Sequence, residues 1–317
     1  MAGEFTQAVH IDALLSNLAR LYRPVEFAAD QVSPYLDVNH ESDVYPVWTQ
    51  GDFYGTDVDD LVPDRSAVRM VEISHTTARY QCQRRELGWD ISDRERKNQD
   101  APLNLERNKQ VAVMGRLMLK REIRVATGLK KTSNGGQLAL GANAAAAWST
   151  AGTTSIETDV RTGREAVRQS IGIRPNTILI PEAVASGMET NTTLNNKLIY
   201  TYGDANSRPQ LSDVFPLLPP VLFGMRTMVP GLIQNTAKEG QTETYSDVWG
   251  KAVRLLYITS GPAIEIPSVA YTFRSEVLTT RTWRDDERRK TNYAVGQTID
   301  EEVVAPNAGY EIGACIP

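Results

Sequence analysis

The chain has 317 residues, of which 41% are hydrophobic and 23% are charged, and its formal net charge is −5. This balance is typical of a folded protein of about two domains and excludes a disordered chain. No apolar run reaches the roughly 18–20 residues that span a bilayer, and no basic segment precedes an apolar run at the N-terminus, so we expect no membrane span and no secretory signal. Cys82 and Cys315 cannot form a disulfide framework or a zinc site alone, which favours synthesis in a reducing cytoplasm.

Charge is distributed unevenly along the chain. Between residues 26 and 64 every Lys, Arg, Asp or Glu position is acidic, whereas between residues 94 and 131 the bases outnumber the acids. Charged segments of this kind commonly form protein surfaces that face solvent. The alternative is that the two segments face different neighbours.

The first 48 residues predict one short helix near Ile11–Leu21 and then an extended arm, because Pro24, Pro34 and Pro46 interrupt any longer helix. Residues 49–91 contain two strand-like stretches joined by the acidic turn TDVDDLVPD. Neither face of the second stretch is cleanly apolar, so it predicts a long two-stranded projection and not a strand of a closed core. An isolated hairpin is marginal in water, and this one needs support from elsewhere.

The strongest local pattern predicts a long helix over residues 101–127. Asp100 suits the N-cap, Pro102 falls in the first turn, and Gly128 supplies the C-terminal stop. At about 100° per residue the apolar side chains share one face of this helix. That face consists of Leu103, Val111, Met114, Leu117, Met118 and Val125.

A basic stripe lies on the other side of the same helix and consists of Lys109, Arg116 and Lys120. Three bases on one helix face are commonly solvated, and the chain has no zinc-finger, RNA-recognition or helix-turn-helix signature. The stripe therefore fits a surface that tolerates nearby phosphate without reading bases.

The remaining chain predicts a compact α/β part followed by strands. A Gly/Asn/Ala-rich stretch from residue 130 to 148 separates the long helix from a second helix around Ile156–Ser170. RPNTILIPEAVASG predicts a buried strand that runs into a helix, and LSDVFPLLPPVLFGM predicts a helix interrupted by prolines. TMVPGLIQNTA, KAVRLLYITS and most of the C-terminal part predict strands.

No motif supports catalysis. His10, His40 and His75 are isolated, and the sequence has no nucleophile elbow, dinucleotide fingerprint or phosphate-binding loop. Asp57, Asp59 and Asp60 lack the remaining ligands of a calcium site. We therefore expect no enzyme activity, no cofactor and no metal.

The order of parts resembles the major capsid proteins of tailed bacteriophages, which have the Hong Kong 97-type fold. The resemblance covers nearly the whole chain and no single motif decides it. Six stretches carry it: ISDRERKNQDAPLNLERNKQVAVMGRLMLKREIRVA (91–126), RPNTILIPEAVASGM (174–188), VFPLLPPVLFGMRTMVPGLIQNTAKEG (214–240), SDVWGKAVRLLYI (246–258), PSVAYTFR (267–274) and VVAPNAGYEIGACI (303–316).

The resemblance implies an α+β protein with four parts. These are an N-terminal arm (1–48), an E-loop hairpin (49–92), a peripheral or P domain (93–149 and 265–317) with its spine helix at 101–127, and an axial or A domain (150–264). The arm and the E-loop would reach over neighbouring subunits.

The function that the resemblance implies is a major capsid protein. It would self-assemble in the host bacterial cytoplasm, as hexamers and pentamers, into the icosahedral head of a virion that encloses double-stranded DNA. Its partners would be further copies of itself, a separate scaffolding protein, a portal protein, the packaged DNA and a decoration protein, with no membrane. Lys109, Arg116 and Lys120 on the spine helix would face the DNA.

Two alternatives stay open, an encapsulin-type nanocompartment shell that encloses cargo protein and, more distantly, a soluble non-specific DNA-binding protein. Some capsid proteins of this type also link neighbouring subunits by an isopeptide bond from an E-loop lysine. The first lysine of this chain is Lys97, so the arm and E-loop contain none and we expect no such bond.

Overall fold

The structure is a computed structural model. It describes residues 10–11, 27–48, 55–56, 59–62, 64, 66–71, 75–98, 105–150, 155–202, 211, 215, 218–238, 240–259, 261 and 268–317.

Helices and strands are both well represented in the described part of the chain. The helices are α1 (Ala29–Val32), α2 (Asp93–Lys97), α3 (Leu105–Gly128), α4 (Ser155–Ile171), α5 (Glu182–Glu189) and α6 (Thr192–Tyr202). The strands are β1 (His10–Ile11), β2 (Tyr35–Asp37), β3 (Ser42–Trp48), β4 (His75–Gln81), β5 (Gln83–Ser92), β6 (Leu140–Asn143), β7 (Thr177–Leu179), β8 (Val221–Leu222), β9 (Met225–Met228), β10 (Ile233–Asn235), β11 (Tyr245–Asp247), β12 (Val253–Leu256), β13 (Tyr271–Asp285), β14 (Lys290–Glu302) and β15 (Gly309–Gly313).

The first large sheet is built on the long antiparallel hairpin of β13 and β14. Its strand order is β1-β13-β14-β5, and β2 adds to β13 in parallel. The helix α3 lies against this sheet, because Met114 and Leu117 form one buried cluster with Leu278 of β13 and Val295 of β14. The periodic apolar face of α3 therefore has the sheet as its partner.

The second large sheet has the order β6-β15-β12-β7-β9-β8. Its core includes Val160 of α4, Ile178 of β7 and Leu255 of β12, all of them fully buried. The helix α4 lies close to the sheet at Gly163, where an added Cβ would come within 2.7 Å of Leu255 and 2.8 Å of Tyr310. Glycine at this position therefore sets the helix-to-sheet distance.

Two small sheets stand apart from the large ones. β3 pairs with β4 over seven residues, from Ser42 opposite Gln81 to Trp48 opposite His75. β10 pairs with β11 over three residues. Each is a two-stranded ribbon, and a two-stranded ribbon without further contacts is only marginally stable in water.

The structure confirms the long helix and the strand-rich C-terminal part, and it corrects two details of the predicted elements. Ile11 lies in a strand, whereas the rest of the helix predicted near residues 11–21 falls outside the described residues. The described residues of LSDVFPLLPPVLFGM contain a short strand, β8, and no helix, because Pro219 and Pro220 lack the N–H that a helix requires. The start predicted at residue 101 is also outside the described residues, and α3 ends at Gly128.

Four strands relate differently to the sheets than the predicted domain boundaries would suggest. β3 lies within the predicted arm but pairs with β4, and β5 leaves the predicted E-loop to join the first large sheet. β6 and β15, both assigned to the P domain, lie in the second large sheet. All five residues of β15 are buried. This strand lies in the interior of the second sheet, between β6 and β12. The division into four parts itself stays a prediction.

Two adjacent charged residues near the C-terminal end of α3 are buried and attach the N-terminal segment. Glu122 is fully buried, and its carboxylate accepts the backbone N–H of Ala28 (3.0 Å), the backbone N–H of Ala29 (2.8 Å) and the indole N–H of Trp249 (2.7 Å). It thereby caps the first turn of α1 from outside that helix. Burial raises the pKa of Glu122, although the three donors oppose the shift.

Arg121 binds the other side of the same segment. Its guanidinium donates to the Ser33 carbonyl and the Thr272 hydroxyl, each at 3.0 Å, and pairs with Asp30. The same group lies 4.1 Å from the centre of the Tyr35 ring. Residues 28–35 are therefore fixed to α3 and to β13 by directional contacts.

A third buried charge joins α3 to the second large sheet. The guanidinium of Arg254 donates to the carbonyls of Leu129 (2.8 Å) and Trp249 (3.2 Å), and lies 3.9 Å from Glu311. Burial lowers the pKa of Arg254 to about 10, which leaves it charged at neutral pH. The C-terminal end of α3 is thus capped by a strand of the other sheet.

Replacing Glu122 by alanine should lower the free energy of unfolding by about 3–5 kcal/mol, because it leaves buried N–H donors and Arg121 without the carboxylate. Glu122→Gln keeps an acceptor oxygen, so its loss should be clearly smaller. Chemical denaturation of both variants, beside Glu287→Ala on an exposed turn, measures this. A Glu122→Ala protein as stable as the Glu287→Ala control would contradict the role assigned to Glu122.

Candidate nucleic-acid and subunit interfaces

The face of α3 that points away from the first sheet carries the predicted basic stripe. Arg116 and Lys120 are exposed, and neither makes a hydrogen bond or ion pair with another described residue. Their positions, four residues apart, place them side by side on the helix surface. The described part of the chain therefore provides no acidic partner for these two side chains.

Lys109 shares this face but is in a different environment. Its ammonium donates to the Asp90 carbonyl at 2.9 Å and to the Glu95 carboxylate at 3.3 Å. Glu95 also closes the capping box of α2 with Ser92, accepting the Ser92 N–H at 3.1 Å while the Ser92 hydroxyl accepts the Glu95 N–H at 3.2 Å. The Ser92 N–H and Lys109 hold the pKa of Glu95 below its usual range. Lys109 thus holds α2 against α3.

Other bases of the predicted basic segment also have acidic partners within the chain. Arg96 donates to Glu106 at 2.7 Å and to the Tyr293 hydroxyl at 2.9 Å, and Tyr293 in turn donates to Glu106 at 2.8 Å. Burial and this last bond raise the pKa of Tyr293 to about 12. Arg124 forms a bidentate pair with Glu301 at 2.9 and 2.6 Å. Much of the positive charge between residues 94 and 131 is therefore compensated internally.

A second candidate surface lies in the segment between β3 and β4. Its described apolar side chains are unusually exposed: Leu61 by 70%, Val68 by 70%, Met70 by 86% and Val71 by 62%. Exposed acids, Asp59, Asp60 and Asp64, lie in the same segment. Exposed apolar side chains that are this frequent in one segment make the segment a candidate for contact with another protein.

The other residues considered for chemistry are not brought together. Cys82 and Cys315 are both buried and unpaired. Among the described residues no three His, Cys, Asp or Glu side chains lie close enough to hold a metal ion. The described helices include none that is both long and apolar enough to cross a membrane. The side chains of His10 and His75 fall outside the described residues.

No family model and no characterised protein matches the sequence. Solved structures match the fold over almost the full length. A phage-related protein from Bordetella bronchiseptica has a TM-score of 0.68 at 18% identity, over 98% of this chain and 100% of that chain. The capsid of cyanophage P-SCSP1u has a TM-score of 0.60 at 12% identity, over 98% and 92%. The mature capsid of bacteriophage PhiM1 has a TM-score of 0.58 at 11% identity, over 98% and 91%.

These similarities define the fold class. The chain has an α+β fold of the Hong Kong 97 type, the fold of the major capsid proteins of tailed bacteriophages. At such low identity they establish the fold alone, and the roles of individual residues stay predictions.

The different environments of the lysines on α3 lead to a paired test. Lys109→Ala should lower the free energy of unfolding by up to about 1 kcal/mol, because it removes a partly exposed ion pair and a hydrogen bond between α2 and α3. Lys120→Ala, on the same face, should change it by less than about 0.5 kcal/mol. Thermal and chemical denaturation compare the two variants. Equal stability would show that the Lys109 contacts contribute nothing measurable.

Proposed function

We propose that this chain is a major capsid protein that assembles as hexamers and pentamers into an icosahedral phage head around double-stranded DNA. The observation that carries the proposal is the full-length structural likeness to two phage capsids. In each case it extends over more than nine-tenths of both chains, so no large part of this fold lacks a counterpart in a shell protein.

The parts that project from the two large sheets support self-assembly. The β3–β4 ribbon ends in a segment whose apolar side chains are exposed, and a two-stranded ribbon is marginally stable alone. In a shell each such part lies on a neighbouring subunit. Individually weak contacts then suffice, because every subunit is held on several sides at once.

The sheets suggest a revised division of the chain within this proposal. The E-loop corresponds to the β3–β4 ribbon and the segment between its strands, residues 42–81. The P domain is the first large sheet with α3. The A domain is the second large sheet with α4, α5 and α6, and it includes β6 and the C-terminal strand β15.

The remaining partners follow from the capsid proposal and the sequence resemblance. They are a separate scaffolding protein, a portal protein and a decoration protein, with assembly in the host bacterial cytoplasm and a final place in the virion. Arg116 and Lys120 are the bases proposed to face the packaged DNA. Lys109, the third base of the predicted stripe, binds Asp90 and Glu95 within the chain.

Negative-stain electron microscopy of the expressed protein, with and without a co-expressed scaffold, tests the proposal together with light-scattering mass. Closed icosahedral shells or isolated hexamers and pentamers are expected. Shells that hold cargo protein and no nuclease-protected DNA would favour the encapsulin-type alternative. A protein that stays monomeric under all conditions would contradict assembly and would favour the soluble DNA-binding alternative.

Met70→Glu should leave the isolated chain folded but reduce the yield of shells severely. The side chain is 86% exposed, so the free energy of unfolding should change by less than about 0.5 kcal/mol, whereas a charge in an apolar interface is costly without a partner. Met70→Leu is the matched control and should assemble normally. Normal assembly of Met70→Glu would remove this segment from the contact surface.

The double variant Arg116→Glu/Lys120→Glu should assemble but retain less DNA, because it replaces two phosphate-compatible charges by repulsive ones in every subunit. Nuclease-protected DNA per particle, measured over a series of salt concentrations, gives the readout. Lys238→Glu, which alters an exposed base beside β10, is the control. Unchanged DNA retention would identify the stripe as a solvated face.

A further inference from the structure

The loop that follows α3 carries the one Asn-Gly pair of the sequence, Asn134–Gly135. Both residues are exposed, and the backbone of Gly135 is in the left-handed region with a φ of 79°. Apart from its sequence neighbours, no atom in the described part of the chain comes within 4 Å of the place where a Cβ would stand at Gly135. The Gly135 nitrogen is therefore unhindered, which makes Asn134 the asparagine whose side chain is most open to attack by the next backbone nitrogen.

Asn134 also fastens this loop to the second large sheet. Its Nδ2 donates to Oε1 of Glu311 at 2.6 Å, and Oε2 of Glu311 accepts the Lys131 N–H at 2.9 Å. Glu311 belongs to β15 and is 3% exposed. Both oxygens of a buried carboxylate thus take their hydrogen bonds from one exposed loop.

The cations near Glu311 already have other partners. The guanidinium of Arg254 lies 3.9 Å from Glu311 and donates to two backbone carbonyls. The Lys131 ammonium donates to the Gly141 carbonyl at 2.8 Å. A second carboxylate in place of the Asn134 amide would therefore meet the like charge of Glu311 directly.

We propose that Asn134 is a site of spontaneous deamidation, with water as the co-reactant, and that the reaction releases the loop from β15. In the first step the Gly135 nitrogen forms a bond to Cγ of Asn134 and gives up its proton. The bond between Cγ and Nδ2 breaks, and the departing nitrogen takes up a proton and leaves as ammonia. Water then opens the cyclic imide at either carbonyl and gives aspartate or isoaspartate, with no change of oxidation state.

Both products turn the donor that Glu311 binds into a carboxylate. A carboxylate cannot donate a hydrogen bond, and two of them at the distance of the Asn134–Glu311 contact repel each other. Glu311 is almost fully buried and cannot turn to water instead. The modified side chain must therefore move away from β15, and the loop loses this attachment to the sheet.

The folded loop restrains the reaction without preventing it. The Gly135 N–H donates to the Thr132 carbonyl at 3.2 Å, and the Asn134 carboxamide is held by Glu311. Attack requires both contacts to open, so the rate of deamidation follows the local opening of an exposed loop and not global unfolding. The site belongs to the single chain and is independent of the proposed capsid function.

Peptide mapping by mass spectrometry tests the site in the full-length, folded chain, held in mildly alkaline buffer well below its unfolding transition. We expect aspartate and isoaspartate to accumulate at Asn134 several-fold faster than at Asn143 and Asn307, which are exposed and followed by alanine. Gly135→Ala should slow the reaction at Asn134 several-fold, because its Cβ hinders the attack. A rate at Asn134 no higher than at the two reference asparagines would overturn the proposal.

A variant that reproduces one product tests the release of the loop. Asn134→Asp should lower the midpoint of thermal unfolding by several degrees, whereas Asn134→Ala, which removes the donor without adding a charge, should lower it less. Ser133→Asp adds the same charge at the neighbouring exposed position and should leave the midpoint unchanged. Equal midpoints for Asn134→Asp and Asn134→Ala would overturn the release of the loop from β15.

Discussion

The architecture depends on the two buried charges at the C-terminal end of α3. Glu122 and Arg121 are neighbours in sequence but bind in different directions, Glu122 to Ala28, Ala29 and Trp249 and Arg121 to Asp30, Ser33 and Thr272. Apolar burial is non-directional and would permit α3 to slide on its sheet. These hydrogen bonds leave one register, because any other arrangement would bury an unsatisfied charge. They therefore fix where the N-terminal segment, the first sheet and the Trp249 loop meet.

The molecule consists of a body whose apolar side chains are well buried and an extension whose apolar side chains are partly exposed. The two large sheets each have a buried core, and Arg254 ties the second sheet to the end of α3. Among the described residues, the β3–β4 ribbon is docked at its base, on Phe273, and the segment between its strands exposes apolar side chains. The exposed apolar side chains of such an extension can be buried by contact with other molecules. That property connects the fold to assembly without reference to any relative.

The hydrophobic periodicity of the sequence predicted those elements that can be identified without knowing which distant part of the chain packs against them. The 3.6-residue pattern of α3 identified Met114, Leu117 and Val125, which are buried. It missed Gln110, Arg121 and Glu122, because the burial of a polar side chain depends on partners far away in the chain, such as Trp249, 127 residues from Glu122. The same limit applies to β15, because its neighbours in the sheet, β6 and β12, are set by tertiary contacts. It also grouped Lys109 with Arg116 and Lys120, because a helical wheel places side chains on a face but does not identify their ion pairs.

The free charge left on α3 bears on the choice between a shell and a soluble DNA-binding protein. Because Lys109 pairs with Glu95, Arg116 and Lys120 are the bases of the predicted stripe that have no acidic partner among the described residues. Two phosphate contacts release about two counterions per chain, which gives a single subunit weak and strongly salt-dependent affinity for duplex DNA. The same two charges repeated over every subunit of a closed surface act together on one polyanion. Two bases on one chain are thus poorly suited to a DNA-binding monomer, and this favours the proposed shell, in which every subunit would repeat them.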